Sequence, residues 1–98
     1  MTSAPLPDLF LYGRADCGLC VEARSMIQAL LTDRNAHGLR TPRLVDRDID
    51  TDPAWQRAFF AVIPVVELGA GRLETLTSLA KLRRLLAEQL DGVETATA

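Results

Sequence analysis

Hydrophobic and polar positions change period several times along the chain. A short apolar and aromatic run, Leu9 to Tyr12, reads as a buried strand that Gly13 ends. From Gly18 to Ala36 the spacing turns helical, with Ala23, Ile27, Leu30 and Leu31 on one face and Met26 at its edge. Gly38 stands where a left-handed C-terminal cap belongs. Arg43 to Ile49 is a second strand candidate. Asp52 followed by Pro53 is a helix-start signature, predicting a short helix to about Phe60 with Trp55, Ala58 and Phe59 as its apolar surface.

Ile63 to Leu68 is strongly strand-like, and its proline belongs at the strand's start, since inside a ladder it would remove a donor. "GAG" turns the chain, and "RLE" adds a short partner strand to complete a hairpin. Leu76, Leu79, Leu82, Leu86 and Leu90 mark a last amphipathic helix, capped by Thr75 or Thr77. The order β-α-β-α-β-β-α predicts an α/β sandwich: a mixed four-stranded sheet, its first strand near the centre, with helices on both faces. One domain is expected over residues 8–91, with residues 1–7 and 92–98 as flexible tails.

Composition narrows the function. The chain has 98 residues, a formal net charge of −2 and a pI near 5.3, so it carries no overall basic footprint for nucleic acid. Arginine supplies the cations almost throughout, Lys81 being the only lysine. The first residues lack a secretory pattern, and no apolar run approaches the roughly 20 residues of a membrane span. A cytoplasmic, non-membrane protein is therefore expected; a monomer is taken as the working state, on which the sequence itself is silent.

Both cysteines lie in "DCGLC", at the junction of the first strand and the first helix. Three readings compete: a redox dithiol, half of a metal site, or buried thiols that fill space. Unpaired amides and the helix dipole favour an anion at a helix start, so Cys17 is the candidate nucleophile and Cys20, one turn further in, the resolving thiol. Arg14 is placed to stabilise a thiolate or receive a substrate carboxylate, whereas Asp16 beside Cys17 opposes an anion. Zinc needs four ligands, and the remaining soft ligand, His37, sits roughly 25 Å away along the same helix at about 1.5 Å per residue. No metal is expected from one chain, and zinc would require a dimer or carboxylates.

The acidic run Asp46 to Asp52 superficially fits a calcium loop, but its sixth position is Thr51 and its twelfth is Arg57. That site needs a glycine and a bidentate glutamate there, so strand end and helix cap explain the carboxylates. "KLRR", Lys81 to Arg84, reads as a solvated helix face, and Trp55 and Phe59 as core.

Taken together, "LYGRADCGLCVEA", "DIDTDPAW" and "IPVVEL" resemble the glutaredoxin-like branch of the thioredoxin fold, over about Leu9 to Leu90. The resemblance implies a thioredoxin-like three-layer sandwich and thiol–disulfide oxidoreductase activity by dithiol exchange through Cys17 and Cys20. It makes Arg14 the basic residue common before the motif. It also implies a cis Ile63–Pro64 peptide, 47 positions after Cys17, facing the cysteines and pairing with an extended substrate or glutathione. Tyr12, Gly18 and Leu19 are candidates for the site's edge. The implied partners are a disulfide-containing protein or small thiol and a reductase system. No organic cofactor is expected, with glutathione a co-substrate candidate. The chain lacks the internal proline of Cys-Pro-Tyr-Cys and the Gly-Gly-x-Asp element that helps hold glutathione in many relatives. Two alternatives stay open: a non-enzymatic adaptor or metal-binding module, and monothiol glutathione transfer.

Overall fold

The computed structural model describes residues 6–91; the expected tails lie mostly outside them. Four strands form one sheet: β1 (Leu9–Gly13), β2 (Leu44–Asp48), β3 (Val65–Leu68) and β4 (Gly71–Leu73). Three helices accompany them: α1 (Gly18–Ala36), α2 (Pro53–Phe59) and α3 (Leu79–Leu90). The spatial order is β2-β1-β3-β4, with β1 and β2 parallel and the β1/β3 and β3/β4 pairs antiparallel. The first strand is thus internal, and both its faces are covered.

Alternation along β1 divides the core in two. Leu9 and Leu11 join Val66 and Leu68 beneath α1 and α3, against Ala23, Ile27, Leu30, Leu82, Leu85 and Leu86. On the opposite face, Phe10 and Tyr12 pack with Ile49, Trp55, Phe59 and Val65 under α2. Ala58, expected on that apolar surface, is exposed.

The first helix has the bounds its periodicity predicts, and a Schellman motif closes it: Gly38 takes φ 70°, while the N–H groups of Gly38 and Leu39 donate to Asn35 and Arg34 carbonyls. Its buried stripe continues beyond Leu30 to Arg34, while Leu31 is half-buried.

Several boundaries differ from expectation, the last strand among them, which spans Gly71–Leu73 instead of Arg72 to Glu74. The second strand gives way at Ile49 to a single 3₁₀ turn, Ile49–Thr51, because the Asp48 carboxylate caps the Asp50 amide. The third strand begins at Val65, leaving Ile63 and Pro64 ahead of it. The last helix begins at Leu79, capped by Ser78 rather than by Thr75 or Thr77. The physical reason is that the preceding segment is committed elsewhere: the Thr75 amide donates to the Val62 carbonyl (2.8 Å) and the Leu76 amide to Pro64 (2.9 Å). Leu76 is buried by this docking, outside the helix.

Ser78 Oγ accepts the Lys81 amide at 3.2 Å. Ser78→Ala should therefore cost about 1 kcal/mol in urea unfolding, while Thr77→Ala should stay within about 0.5 kcal/mol of wild type. Equal losses from the two would remove Ser78 from the cap.

Candidate functional site

The cysteine pair sits where β1 hands over to α1. Cys17 is the N-cap of α1, with extended backbone (φ −113°, ψ 108°), and its Sγ accepts the Cys20 amide at 3.1 Å. One of the helix's unpaired donors thus points at the sulfur. Cys17 and Cys20 are joined as a disulfide, with their Cα atoms 5.1 Å apart. Cys17 is half-exposed, whereas Cys20 keeps 6% of its surface.

Gly13, the last residue of β1, makes room for this arrangement. A Cβ built there would lie 3.0 Å from Cys20 Sγ and 3.1 Å from Cys20 Cβ. The sequence signals Gly13 only as a strand terminator, so its close approach to the buried cysteine is a structural finding.

The peptide Ile63–Pro64 is cis, and Pro64 is fully buried. Tyr12 pairs with Val65, and Pro64 immediately precedes Val65, just as Gly13 immediately follows Tyr12. The proline therefore reaches the cysteine end of the sheet through β1's neighbour, and the Thr75 and Leu76 amides hold the loop around it. Gly18 and Leu19 are exposed in the first turn of α1, Leu19 retaining 45% of its surface, next to an exposed Val21.

A cavity of about 410 Å³ opens beside Cys20, between the start of α1 and the end of β2; Leu11, Gly13, Arg14, Arg24 and Asp48 are among its walls. Tyr12, Ile63 and Pro64 do not contribute to this lining. Tyr12 lies beneath the site in the α2-side core, its ring 4.5 Å from Phe59 and edge-on to Trp55. Its hydroxyl donates to Glu67 (3.0 Å) and accepts from Arg47 (2.8 Å). Burial first, and the Glu67 hydrogen bond second, raise its pKa above the ordinary tyrosine value.

Arg14 is held by an internal carboxylate. Its Nη2 and Nε donate to Asp50 Oδ1 and Oδ2 at 2.9 and 3.3 Å, and Gln56 Nε2 also donates to Oδ1. The hydrogen bonds from Arg14 lower the Asp50 pKa below the usual carboxylate value, and those same bonds raise Arg14 further. Nothing in the sequence pairs these residues, which lie 36 positions apart.

His37 is remote from the cysteines, exposed at the C-cap of α1, where its ring lies 2.8 Å from the Asp33 carbonyl. Among the described residues, no three His, Cys, Asp or Glu side chains are placed to hold one metal ion. No helix among them is long and apolar enough to cross a membrane.

A mixed four-stranded sheet layered between helices, with a Cys-x-x-Cys pair at the first helix N-terminus, defines the thioredoxin-like fold. Structures of bacterial proteins share this architecture. Protein Ne2328 from Nitrosomonas europaea superposes with a TM-score of 0.64 at 18% identity, over 87% of this chain and 96% of that one. Protein XcR50 from X. campestris has 28% identity and a TM-score of 0.58 in its X-ray structure, covering 88% of this chain and 99% of that one. Its solution structure gives 0.61 at 27% identity, over 91% and 99% of the respective chains.

Within that fold the chain belongs to the family described as glutaredoxin-like domain (DUF836), whose pattern matches residues 8–90. It is also 32% identical over 84 residues to glycine dehydrogenase (decarboxylating) of Synechococcus sp. (strain CC9902), a match that covers 86% of this chain and 8% of that protein.

Proposed function

We propose that the protein is a thiol–disulfide oxidoreductase acting by dithiol exchange. The observation that carries this reading is the unequal placement of the two sulfurs: Cys17 half-exposed on the helix cap with an amide directed at it, Cys20 buried behind. Amide donors at a helix start favour a thiolate, the attacking species in exchange.

In the reduced protein the Cys17 thiolate attacks one sulfur of a substrate disulfide. An S–S bond forms to Cys17, and the first substrate thiolate leaves and takes up a proton. Cys20 then loses its proton, attacks the Cys17 sulfur and expels the second thiolate. The protein ends as the Cys17–Cys20 disulfide, two electrons having passed to the substrate. A dithiol reductase or glutathione restores the dithiol. In this reading Arg14 lies at the mouth of the site, and Ile63 and Pro64 supply an edge for an extended substrate. Gly18 and Leu19 flank the attacking sulfur. The working compartment is the cytoplasm, where thiols are kept reduced. The match to the Synechococcus enzyme spans 8% of that protein, so glycine decarboxylation is not assigned to this chain.

The test is trapping. Reduced Cys20→Ser mixed with a disulfide substrate should accumulate a mixed disulfide on Cys17, detected by intact mass, while Cys17→Ser should not trap through Cys20. Equal trapping by both variants would overturn the assignment of roles. Full glutathione-dependent turnover by Cys20→Ser would favour monothiol transfer. A wild-type pair that never closes under oxidising buffers would leave the adaptor or metal-binding reading.

A further inference from the structure

The cavity beside Cys20 has three guanidinium groups in its lining, and each has a partner within the protein. Arg24 pairs with Asp46 at 2.7 Å. Arg47 lies 3.9 Å from the Phe10 ring centre and donates to Tyr12. Arg14, three residues before Cys17, is bound by both oxygens of Asp50. Asp50 is itself held in place: its backbone amide donates to Asp48 at 2.9 Å, and Gln56 donates to its carboxylate. Asp16 and Asp48 add their negative fields at Arg14.

A carboxylate on an incoming substrate therefore meets an arginine whose Nε–Nη2 edge is already occupied and whose charge is already compensated by Asp50. It also meets more negative than positive charge around that arginine. A cationic or neutral group meets neither obstacle.

We propose that Asp50 is a specificity-determining residue of the exchange site, cancelling Arg14 so that the site prefers cationic and neutral disulfides to anionic ones. The inference rests on the dithiol-exchange reading above. Because both side chains are about 40% exposed (40% and 44%), the pair does little for stability. Its charge still acts on encounter, since fields at a cleft mouth change association rates, and salt screens them.

The experiment measures single-turnover oxidation of the pre-reduced protein by three small disulfides: cystamine (cationic), bis(2-hydroxyethyl) disulfide (neutral) and 3,3′-dithiodipropionate (anionic). Leaving-thiol basicity differs among them, so each variant's rate is divided by the wild-type rate with the same probe. In Asp50→Asn the anionic-to-cationic ratio should rise roughly three- to tenfold at low ionic strength and shrink in high salt. Arg14→Gln, which leaves Asp50 uncompensated, should move the ratio the other way, and the double variant should return it close to wild type. Changes below about threefold in both single variants, or shifts of the same sign, would overturn the inference while leaving dithiol exchange standing. If the reduced wild type reacts with none of the three probes, the exchange reading falls and this inference falls with it.

Discussion

Arg34→Met should lower the unfolding free energy by about 2–3 kcal/mol at pH 7, and the melting temperature by roughly 10 °C or more. Arg34 is the buried charge of the first helix, 6% exposed. Its guanidinium donates to both oxygens of Asp91 at 2.6 and 3.2 Å, and to the Arg40 carbonyl at 2.9 Å. These bonds tie the end of α1 to the C-cap of α3. Methionine preserves much of the side chain's apolar packing but strands the Asp91 carboxylate and the Arg40 carbonyl.

Breaking a wholly buried pair costs about 3–5 kcal/mol; here Asp91 keeps 25% of its side chain in solvent, which reduces the loss. The pH dependence has a definite sign. Arg34's hydrogen bonds depress the Asp91 pKa in the folded protein, so the pair's contribution is complete above the unfolded carboxylate pKa, about 3.9, and fades as pH falls through the lower folded value. The gap between wild type and Arg34→Met should therefore be widest near neutrality and narrow in acid. Urea unfolding at neutral and acidic pH measures both effects; a neutral-pH loss below about 1 kcal/mol would remove the clamp from the account of stability.

The second large effect is expected at Gly13. Gly13→Val places branched carbon where a single Cβ already comes within 3.0 Å of Cys20 Sγ and 3.1 Å of its Cβ. Cys20 is buried, and its helix is anchored by Ala23 and Ile27, both fully buried, so it has little room to retreat. Overpacking of this kind should cost about 2 kcal/mol. Displacing the Cys20 sulfur by a fraction of an ångström should also slow closure of the Cys17–Cys20 disulfide by about tenfold or more. Gly13→Ala should show both effects in weaker form. Stability within about 0.5 kcal/mol of wild type for Gly13→Val, with unchanged closure, would mean that the site accommodates the side chain freely.

The reasons some features could be read from the sequence, and others not, are physical. The period and the flanking glycine bound α1, because burial of one face and a left-handed cap are local demands that the residues state directly. The central position of β1 followed from the alternation of strands and helices. Arg34 was invisible because an arginine at a helix end looks like solvated surface, and its partner lies 57 positions away. The cap of α3 is ambiguous in the sequence for a similar reason: Thr75, Thr77 and Ser78 are all capable caps, and the choice depends on the long-range bonds that hold Thr75 and Leu76 to the proline loop. At the candidate site, the cysteine spacing and the Ile-Pro pair were legible as motifs. The closeness of Gly13 to Cys20, and Asp50's hold on Arg14, arise only when distant strands and turns meet.

The side chains beneath α2 have a mechanical consequence. Arg47 on β2, Tyr12 on β1, Glu67 on β3 and Arg72 on β4 form one continuous line of hydrogen bonds across the sheet. Each backbone ladder joins only two neighbouring strands; this line of side chains passes through all four, like a cross-tie through planking. Both outer planks are therefore fastened to the middle by side chains as well as by backbone. They also present Asp46, Arg47 and Asp48 on one margin and only three residues on the other. Margins so short, charged and tethered are poor templates for another chain's strand, and the sheet resists growing by edge-to-edge addition.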